Sequence, residues 1–405
     1  MNRGNGHGPL VWLMVTGAVA GGVLGALAPE AARHVEILGE LWLRMLRMLV
    51  VPLIVASIIQ GVGSLGDIRQ LGKLGGATVT YYLITSGMAI VLGMILVSLI
   101  KPGVGADIAA AVAPTGLAAA VNIGWLDLIK GFLSPNLFAS ASQGELLPLV
   151  IFSLAFGAAL TTVGENGTLV LKFFEGIFGA IMKLIHLVMW IGPIGVFGLV
   201  AGRLASAGGL DGIVALLVGL GLFTVTVLLG LAIHAGIVLG LILHVAGRRH
   251  PLAYMRALGA ALTSAFATAS SSATLPLTME GVESAGVSSR SSRFVLPVGA
   301  TVNMDGSALY EAVAAVFIAQ AWGIDLSGEA LIVLFVVATV SAIGAAGIPE
   351  AGLVTMVVVF QAVGLPLEGL GLLLAIDWLI DRFRTAVNVW GDAVGAAVVD
   401  RYITA

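Results

Sequence analysis

The sequence predicts an all-α polytopic membrane protein with eight transmembrane helices and two re-entrant helical hairpins arranged as inverted repeats. Three observations carry that prediction. Hydrophobic residues fill 59% of the 405 positions and charged residues only 10%, against roughly 25% charged in a soluble domain. Six uncharged runs are each long enough to cross about 30 Å of hydrocarbon, which takes roughly 20 residues. Beyond Pro251, apolar segments broken by small or hydroxyl-bearing tips alternate with helices that carry intramembrane charge. The mean hydropathy of +1.08 leaves soluble enzyme classes far behind. A net charge of -3 lacks the basic footprint that nucleic-acid binding needs. The absence of cysteine excludes disulfides, thiolate metal sites and cysteine nucleophiles.

The six runs are Leu10 to Ala28, Met48 to Gly66, Leu74 to Ile100, Leu146 to Gly164, Leu184 to Gly202 and Gly212 to Gly247. The first exceeds the 7 to 15 apolar residues of a signal peptide and reads as a retained helix. Leu74 to Ile100 and Gly212 to Gly247 are longer than one span, so they must tilt or project. Ala257 to Met279 is uncharged but holds eight Ser/Thr residues around Ser270-Ser271-Ser272-Ala273-Thr274-Leu275-Pro276. Small hydroxyls followed by proline suit a hairpin tip whose free backbone groups line a polar cavity. A second break falls at Gly344 to Gly352, inside the apolar stretch from Ala330 to Leu367. Helices with internal charge follow each break, Phe294 to Ile324 and Gly369 to Arg401. Hairpin, polar helix, hairpin, polar helix is a two-fold repeat, and broken segments at corresponding positions point to a secondary-transporter site near the midplane.

Lys/Arg placement suggests an orientation. Arg69, Lys73, Arg248, Arg249, Arg256, Arg290 and Arg293 would be cytoplasmic, and Ala321 to Glu329 has no basic residue. The first hairpin then enters from inside and the second from outside, although Lys101 and Lys130 fall on the outer side in this scheme.

The last helix places Asp377, Asp381, Arg384, Asn388 and Asp392 at spacings of 4, 3, 4 and 4, a single stripe at about 100° per residue. Intramembrane charges are expensive and mark functional sites by default. The plainer reading is a structural salt bridge from Asp377 or Asp381 to Arg384. One arginine cannot neutralise three carboxylates, so the stripe keeps negative charge and attracts cations. Arg384 can grip a carboxylate in a bidentate fork, and Asp381, one turn earlier, can accept an ammonium. Asn388 supplies an amide for a second carboxylate, as can backbone N–H groups at the hairpin tips. Arg382 lies off the stripe.

The other polar helix carries Asn303-Met304-Asp305-Gly306-Ser307, then Tyr310 and Glu311. In a regular helix Asp305 points nearly opposite to Asn303, Ser307, Tyr310 and Glu311, so local unwinding at Asp305-Gly306 is expected. Carboxylate, amide and carbonyl oxygens suit hard cations, which makes Asp305 and Asp392 candidates for sodium; the bland alternative for Asn-x-Asp-Gly is a turn. Glu311 has no basic partner in its segment and can carry a proton in its neutral form, or serve as a hydrogen-bonded structural residue. Tyr82, Thr85 and Ser86 share a helix face and read, on pattern alone, as packing with oxygen ligands as the second possibility. His186, His234 and His244 read as helix packing. Neither a P-loop nor a G-x-S-x-G elbow occurs, and the Asn166-Gly167-Thr168 sequon is too common to use.

At the motifs SSSATLP (Ser270 to Pro276), NMDGSALYEAVAAVFIAQ (from Asn303), GIPEAGLVTM (from Gly347) and DWLIDRFRTAVNVWGD (from Asp377), the chain resembles the dicarboxylate/amino acid:cation symporters that include the excitatory amino acid transporters. An archaeal relative is itself a standard example of the inverted-repeat architecture. The resemblance covers nearly the whole chain and implies a homotrimer in the cell membrane working by an elevator motion. Residues 8–70 and 103–206 would form the scaffold; 71–102 and 207–405 would form the moving transport domain. The similarity implies that Ser271 and Asn388 hold the substrate α-carboxylate and Asp381 the amino group. Arg384 would take the side-chain carboxylate with Ser307, Thr385 and Gly352 around it, and the carbonyls of Ser270 and Ile348 would face the amine. One sodium site would use Asp392 with carbonyls of Gly299, Asn303 and Asn388. A second would use Thr301, Met304 and carbonyls of Ala342, Ile343 and Ala345. A third would use Tyr82, Thr85, Ser86, Asn303 and Asp305.

Within that family, members for neutral amino acids lack an arginine where Arg384 stands, and those for simple C4-dicarboxylates lack the aspartate of Asp381. The implied substrate is L-aspartate or L-glutamate. Glu311 matches the glutamate of proton-coupled, potassium-countertransporting members, so potassium and a proton are implied beside sodium as coupled ions, with an uncoupled anion conductance as a side activity. Sodium- or proton-coupled symport without potassium is the alternative. Glu350 departs from the small or neutral residue usual at the second tip, Ser307 replaces the commoner threonine, and the short Lys101 to Lys130 segment suggests a prokaryotic member. A mainly conducting channel is the competing class. An intramembrane hydrolase using Ser270 to Ser272 lacks the nearby base it would need.

Overall fold

A computed structural model describes residues 8–63, 72–105, 133–143, 146–206, 210–344 and 351–404. These residues form helices throughout, joined by short turns. The first half holds α1 (Gly8–Leu27), α2 (Pro29–Gly63), α3 (Gly72–Ile100), α4 (Leu137–Gln143), α5 (Leu146–Leu160) and α6 (Glu165–Ser206). The second holds α7 (Leu210–Ile233), which runs through a π-helical turn (His234–Val238) into α8 (Leu239–Val245), then α9 (Pro251–Ala257), α10 (Gly259–Thr268), α11 (Ser271–Ser284), α12 (Ser289–Val302), α13 (Asp305–Ala321), α14 (Gly328–Gly344), α15 (Ala351–Ala362) and α16 (Leu370–Thr404).

Helices α2 and α6 extend well beyond the apolar runs that predict them. Their 35 and 42 residues span about 50 and 60 Å at 1.5 Å per residue. Charged residues interleave with apolar ones at Glu30, Arg33, Glu36, Glu40 and Arg44 of α2 and at Glu165, Lys172, Glu175 and Lys183 of α6. Such residues are good helix formers, so the helix continues where the hydrocarbon-length run stops. Glycines let α6 meet both α1 and α2 at backbone distance. A Cβ on Gly21 would lie 2.5 Å from the Phe197 carbonyl, and one on Gly198 would lie 2.5 Å from the Val35 carbonyl and 2.8 Å from the Gly39 nitrogen. Trp42, 1% exposed, is seated at this α2–α6 contact and donates its indole N–H to the Val188 carbonyl at 3.0 Å.

The first expected hairpin is formed by α10 and α11. Ala269 at φ 50° turns the chain, and extended Ser270 caps α11 by accepting from the Ala273 N–H. The second pairs α14 with α15; its tip, with Ala345, Ile348 and Glu350, lies outside the described residues, as does most of the Lys101 to Lys130 connection.

Between the hairpins the chain breaks, but not where the sequence suggests. Asn303 (φ -100°, ψ 85°) and Met304 (φ -111°, ψ 54°) leave the helical region, whereas Asp305 and Gly306 are the first residues of α13. The reason is a cap from elsewhere: Asn388 Oδ1 on α16 accepts the Gly306 N–H at 2.7 Å, satisfying a first-turn donor that no residue of α13 can. The carboxylate of Asp305 meanwhile sits at the favourable N-terminal end of the helix.

Helix α13 is the centre of the second half, buried from Asp305 to Ala319 and wrapped by α3, α7, α14, α15 and α16. Helix α16 is unbroken and touches nearly every element around it. Two of its arginines grip the ends of neighbouring helices. Arg382 Nη1 donates to the carbonyls of Phe266 (3.1 Å) and Ala267 (2.7 Å) in the last turn of α10. Arg401 Nη1 does the same to Val245 (3.1 Å) and Ala246 (2.7 Å) at the end of α8. Cations at helix C-termini satisfy orphan carbonyls and complement the dipole.

Replacing Gly198 with valine forces α2 and α6 apart, with an expected loss of about 1–3 kcal/mol seen as a lower melting temperature of the detergent-solubilised protein. Gly221→Ala, where an added Cβ meets nothing within 4 Å, should leave that temperature unchanged.

Candidate functional site

The charged stripe of α16 faces inward. Arg384 is 0% exposed, and its Nη2 lies 2.8 Å from Asp381 Oδ1 and 3.1 Å from Asp377 Oδ1. The salt bridge of the plainer reading is therefore present, to both aspartates. It does not use up the guanidinium: Nε and Nη1 have no hydrogen-bond partner. The Tyr310 ring of α13 lies against the same group, with its centroid 4.1 Å from Cζ, a cation–π arrangement that holds the fork in one plane. On another side is the backbone of α15, where a Cβ on Gly352 would fall 2.6 Å from Nη1. Two aimed and unpaired donors, in a site flanked by carboxylate and aromatic ring, suit a planar anion.

Asn388 sits one turn further along. While Oδ1 caps α13, Nδ2 points to Met304 Sδ (3.2 Å) and Ser307 Oγ (3.5 Å). Ser307 and Thr385 are buried beside these residues. Ser271 opens α11 and is buried, and the Ser270 carbonyl accepts from Thr274 Oγ1 at 2.8 Å.

Beyond Asn388 the expected cation ligands form a second buried cluster, drawn from α3, α12, α13 and α16. Ser86 Oγ donates to Asp305 Oδ1 (2.8 Å), Thr85 Oγ1 to Asn303 Oδ1 (3.4 Å), and Asn303 Nδ2 to Asp392 Oδ1 (3.0 Å). Tyr82 donates to the Val295 carbonyl at 2.7 Å. Gly299 has to be glycine here: a Cβ would collide with Asp392 Oδ1 and lie 2.6 Å from the Tyr82 hydroxyl. Neither Asp305 nor Asp392 pairs with lysine or arginine among the described residues. Two buried carboxylates with no lysine or arginine beside them, among hydroxyl, amide and carbonyl oxygens, have the chemistry that suits a hard cation. A small cavity of about 180 Å³, bounded in part by Tyr82, Ser86, Val302 and Thr339, adjoins it.

The remaining expected ligands are less concentrated. Thr301 is half-buried with its hydroxyl on the Val298 carbonyl (3.1 Å), Met304 is buried at the break, and Ala342 is buried in the last turn of α14, with Ile343 next in the chain. Ala345 and Ile348 lie outside the described residues.

Glu311 is fully buried on α13 and meets α15, where the Thr355 hydroxyl donates to its Oε1; Oε2 has no partner. Three contacts were not legible in the chain: Thr355 with Glu311, Arg382 with the α10 carbonyls, and His234 with Asp305. Each joins elements far apart in sequence. The one available hint was Arg382, a cation off the charged stripe and so free for another helix.

Comparison with known proteins finds relatives along nearly the whole chain. A family model described as the sodium:dicarboxylate symporter family matches residues 10–402. An excitatory amino acid transporter of Caenorhabditis elegans is 39% identical over 440 residues, covering 96% of this chain and 86% of its own. Excitatory amino acid transporter 3 of Mus musculus is 39% identical over 452 residues, with coverage of 96% and 85%. Excitatory amino acid transporter 2 of Rattus norvegicus is 37% identical over 447 residues, with coverage of 96% and 77%.

Proposed function

Since this chain belongs to the sodium:dicarboxylate symporter family and is a multi-pass membrane protein, we propose that it is a secondary active transporter importing L-glutamate and L-aspartate with sodium. The observation that carries the reading is Arg384, buried with two unpaired donors beside Asp381 on the same helix as Asn388 and Asp392. A dicarboxylic amino acid has one group for each: a side-chain carboxylate for the Arg384 fork, an ammonium for Asp381, and an α-carboxylate for the amide of Asn388 and the tip residue Ser271. Ser307, Thr385, Gly352 and the carbonyls of Ser270 and Ile348 complete the surroundings. The ammonium shares Asp381 with Arg384, and Asp377 keeps the guanidinium compensated while it does so.

Coupling follows from shared parts. Asn388 touches the substrate side through Nδ2 and fixes the start of α13 through Oδ1, so ligands of both kinds bear on one amide. Sodium would be held by Asp392 with carbonyls of Gly299, Asn303 and Asn388; by Thr301 and Met304 with carbonyls of Ala342, Ile343 and Ala345; and by Tyr82, Thr85, Ser86, Asn303 and Asp305. Neutral, Glu311 suits the apolar contact between α13 and α15, and we assign it the proton that accompanies substrate and is exchanged for potassium on return. The functional unit is a homotrimer with an elevator motion of 71–102 and 207–405 against 8–70 and 103–206, and with an anion conductance as a by-product. Chemistry of an enzymatic kind has no part in this reading.

The direct test is uptake of radiolabelled L-aspartate and L-glutamate into proteoliposomes under an inward sodium gradient, with potassium or an inert cation inside. Accumulation in sodium is expected, faster with internal potassium; current without accumulation would instead make the protein a channel. Arg384→Ala should lower acidic amino acid uptake about a hundredfold or more, as two charge-assisted hydrogen bonds are lost, with the trimer intact by cross-linking. Loss of the trimer would return Arg384 to a structural role. Glu311→Gln should abolish the dependence of uptake on pH and internal potassium, and the proton reading fails if a concentrating Glu311→Gln protein keeps both dependences.

A further inference from the structure

We propose that His234 is a positioning residue for sodium: its Nε2–H fixes the Asp305 carboxylate in the orientation that faces the cation ligands of α3. The inference deepens the sodium-site reading given above and rests on it.

His234 opens the π-helical turn between α7 and α8. Such turns break helical regularity and concentrate at functional sites. This one is pinned from α16, where Trp390 Nε1 donates to the Ala235 carbonyl at 3.0 Å. The imidazole it presents is 0% exposed, with Nε2 3.2 Å from Asp305 Oδ2. A carboxylate oxygen accepts hydrogen bonds, so the geometry makes Nε2 the donor. The other ring nitrogen, Nδ1, has no partner. A fully buried ring left half-satisfied is a poor packing residue, because buried polar atoms normally find partners. What the ring does supply is one donor, aimed at one oxygen.

That oxygen needs holding. Asp305 Oδ1 is fixed by Ser86 at 2.8 Å, while Oδ2 packs so closely against the backbone of Gly391 that a Cβ there would lie 3.0 Å from it. Among the described residues His234 is the hydrogen-bond donor to Oδ2, so removing it leaves a buried carboxylate oxygen unsatisfied and the orientation of the group set by Ser86 alone. One directed donor holds the orientation of the carboxylate, whereas a lysine or arginine at this place would cancel the negative charge that attracts a cation. Hydrogen bonds behind a metal-ligating carboxylate typically account for 10–100-fold in affinity.

The test compares wild type, His234→Leu and His234→Gln, whose amide can still donate, as purified full-length protein. Two readouts are used: the sodium concentration that gives half of the sodium-dependent rise in melting temperature without amino acid, and the sodium half-saturation and substrate KM of uptake in proteoliposomes. His234→Leu should raise both sodium values about tenfold or more, change the substrate KM at saturating sodium by less than about threefold, and be largely rescued by His234→Gln. A leucine protein with a lower melting temperature but unchanged sodium values overturns the proposal, as does a glutamine protein as impaired in sodium as the leucine one. If His234→Leu is not recovered, His234→Asn, whose shorter amide falls short of Oδ2, takes its place with the same expectation. A wild-type protein without any sodium response would overturn the sodium site itself, a result distinct from a normal response that His234→Leu leaves untouched.

Discussion

The hydrogen bond from the Gly306 N–H to Asn388 Oδ1 holds the second half of the protein in register. Hydrocarbon offers nothing to an unpaired peptide group, so a helix can stop and restart at membrane depth only where other protein groups satisfy its ends. The break at Asn303 and Met304 depends on that one amide from α16. Without the break, Asp305 would face away from α3, Ser86 and His234 would lose their acceptor, and the carbonyls around Asn303 would return to helical hydrogen bonds. Without the amide, the first turn of α13 would carry a buried orphan donor, worth about 1–3 kcal/mol. The acidic cluster of Asp305 and Asp392 and the charged stripe of α16 thus share a structural cause.

Arg384 follows a different logic. Burying a guanidinium with two carboxylates brings little net stability, since desolvation offsets most of the Coulombic gain. Its value is orientation. Asp377, Asp381 and the Tyr310 ring restrict the group on three sides, leaving Nε and Nη1 in fixed directions. In the function proposed above, a carboxylate would meet donors that have already lost their rotational freedom, which lowers the entropic penalty of binding.

Much of this was legible in the sequence because it is local. The stripe at 377, 381, 384, 388 and 392 follows from helical geometry alone, and the hydroxyl-rich tip before Pro276 announces a hairpin that no lipid-facing helix would tolerate. The misplaced break shows the limit. Asp305-Gly306 has the chemistry of an unwound segment, yet the decisive cap comes from Asn388, 82 residues away, and no pattern within α13 encodes it. The same holds for the Thr355 hydroxyl on Glu311 and the His234 ring on Asp305, single contacts between helices with no period of their own. The lengths of α2 and α6 were underestimated for another reason: hydropathy marks where a helix is greasy, while helix propensity decides where it ends.

The unbroken course of α16 also acts as a ruler. From Asp377 to Asp392 the rise is about 22 Å, and no proline or unwound turn along it lets one functional position slide relative to another. Descendants of such a protein can exchange the side chain at any mark, but cannot move the marks apart. On the function proposed above, a change of cargo would then come by substitution at fixed stations, with the spacing between cargo and ion positions kept.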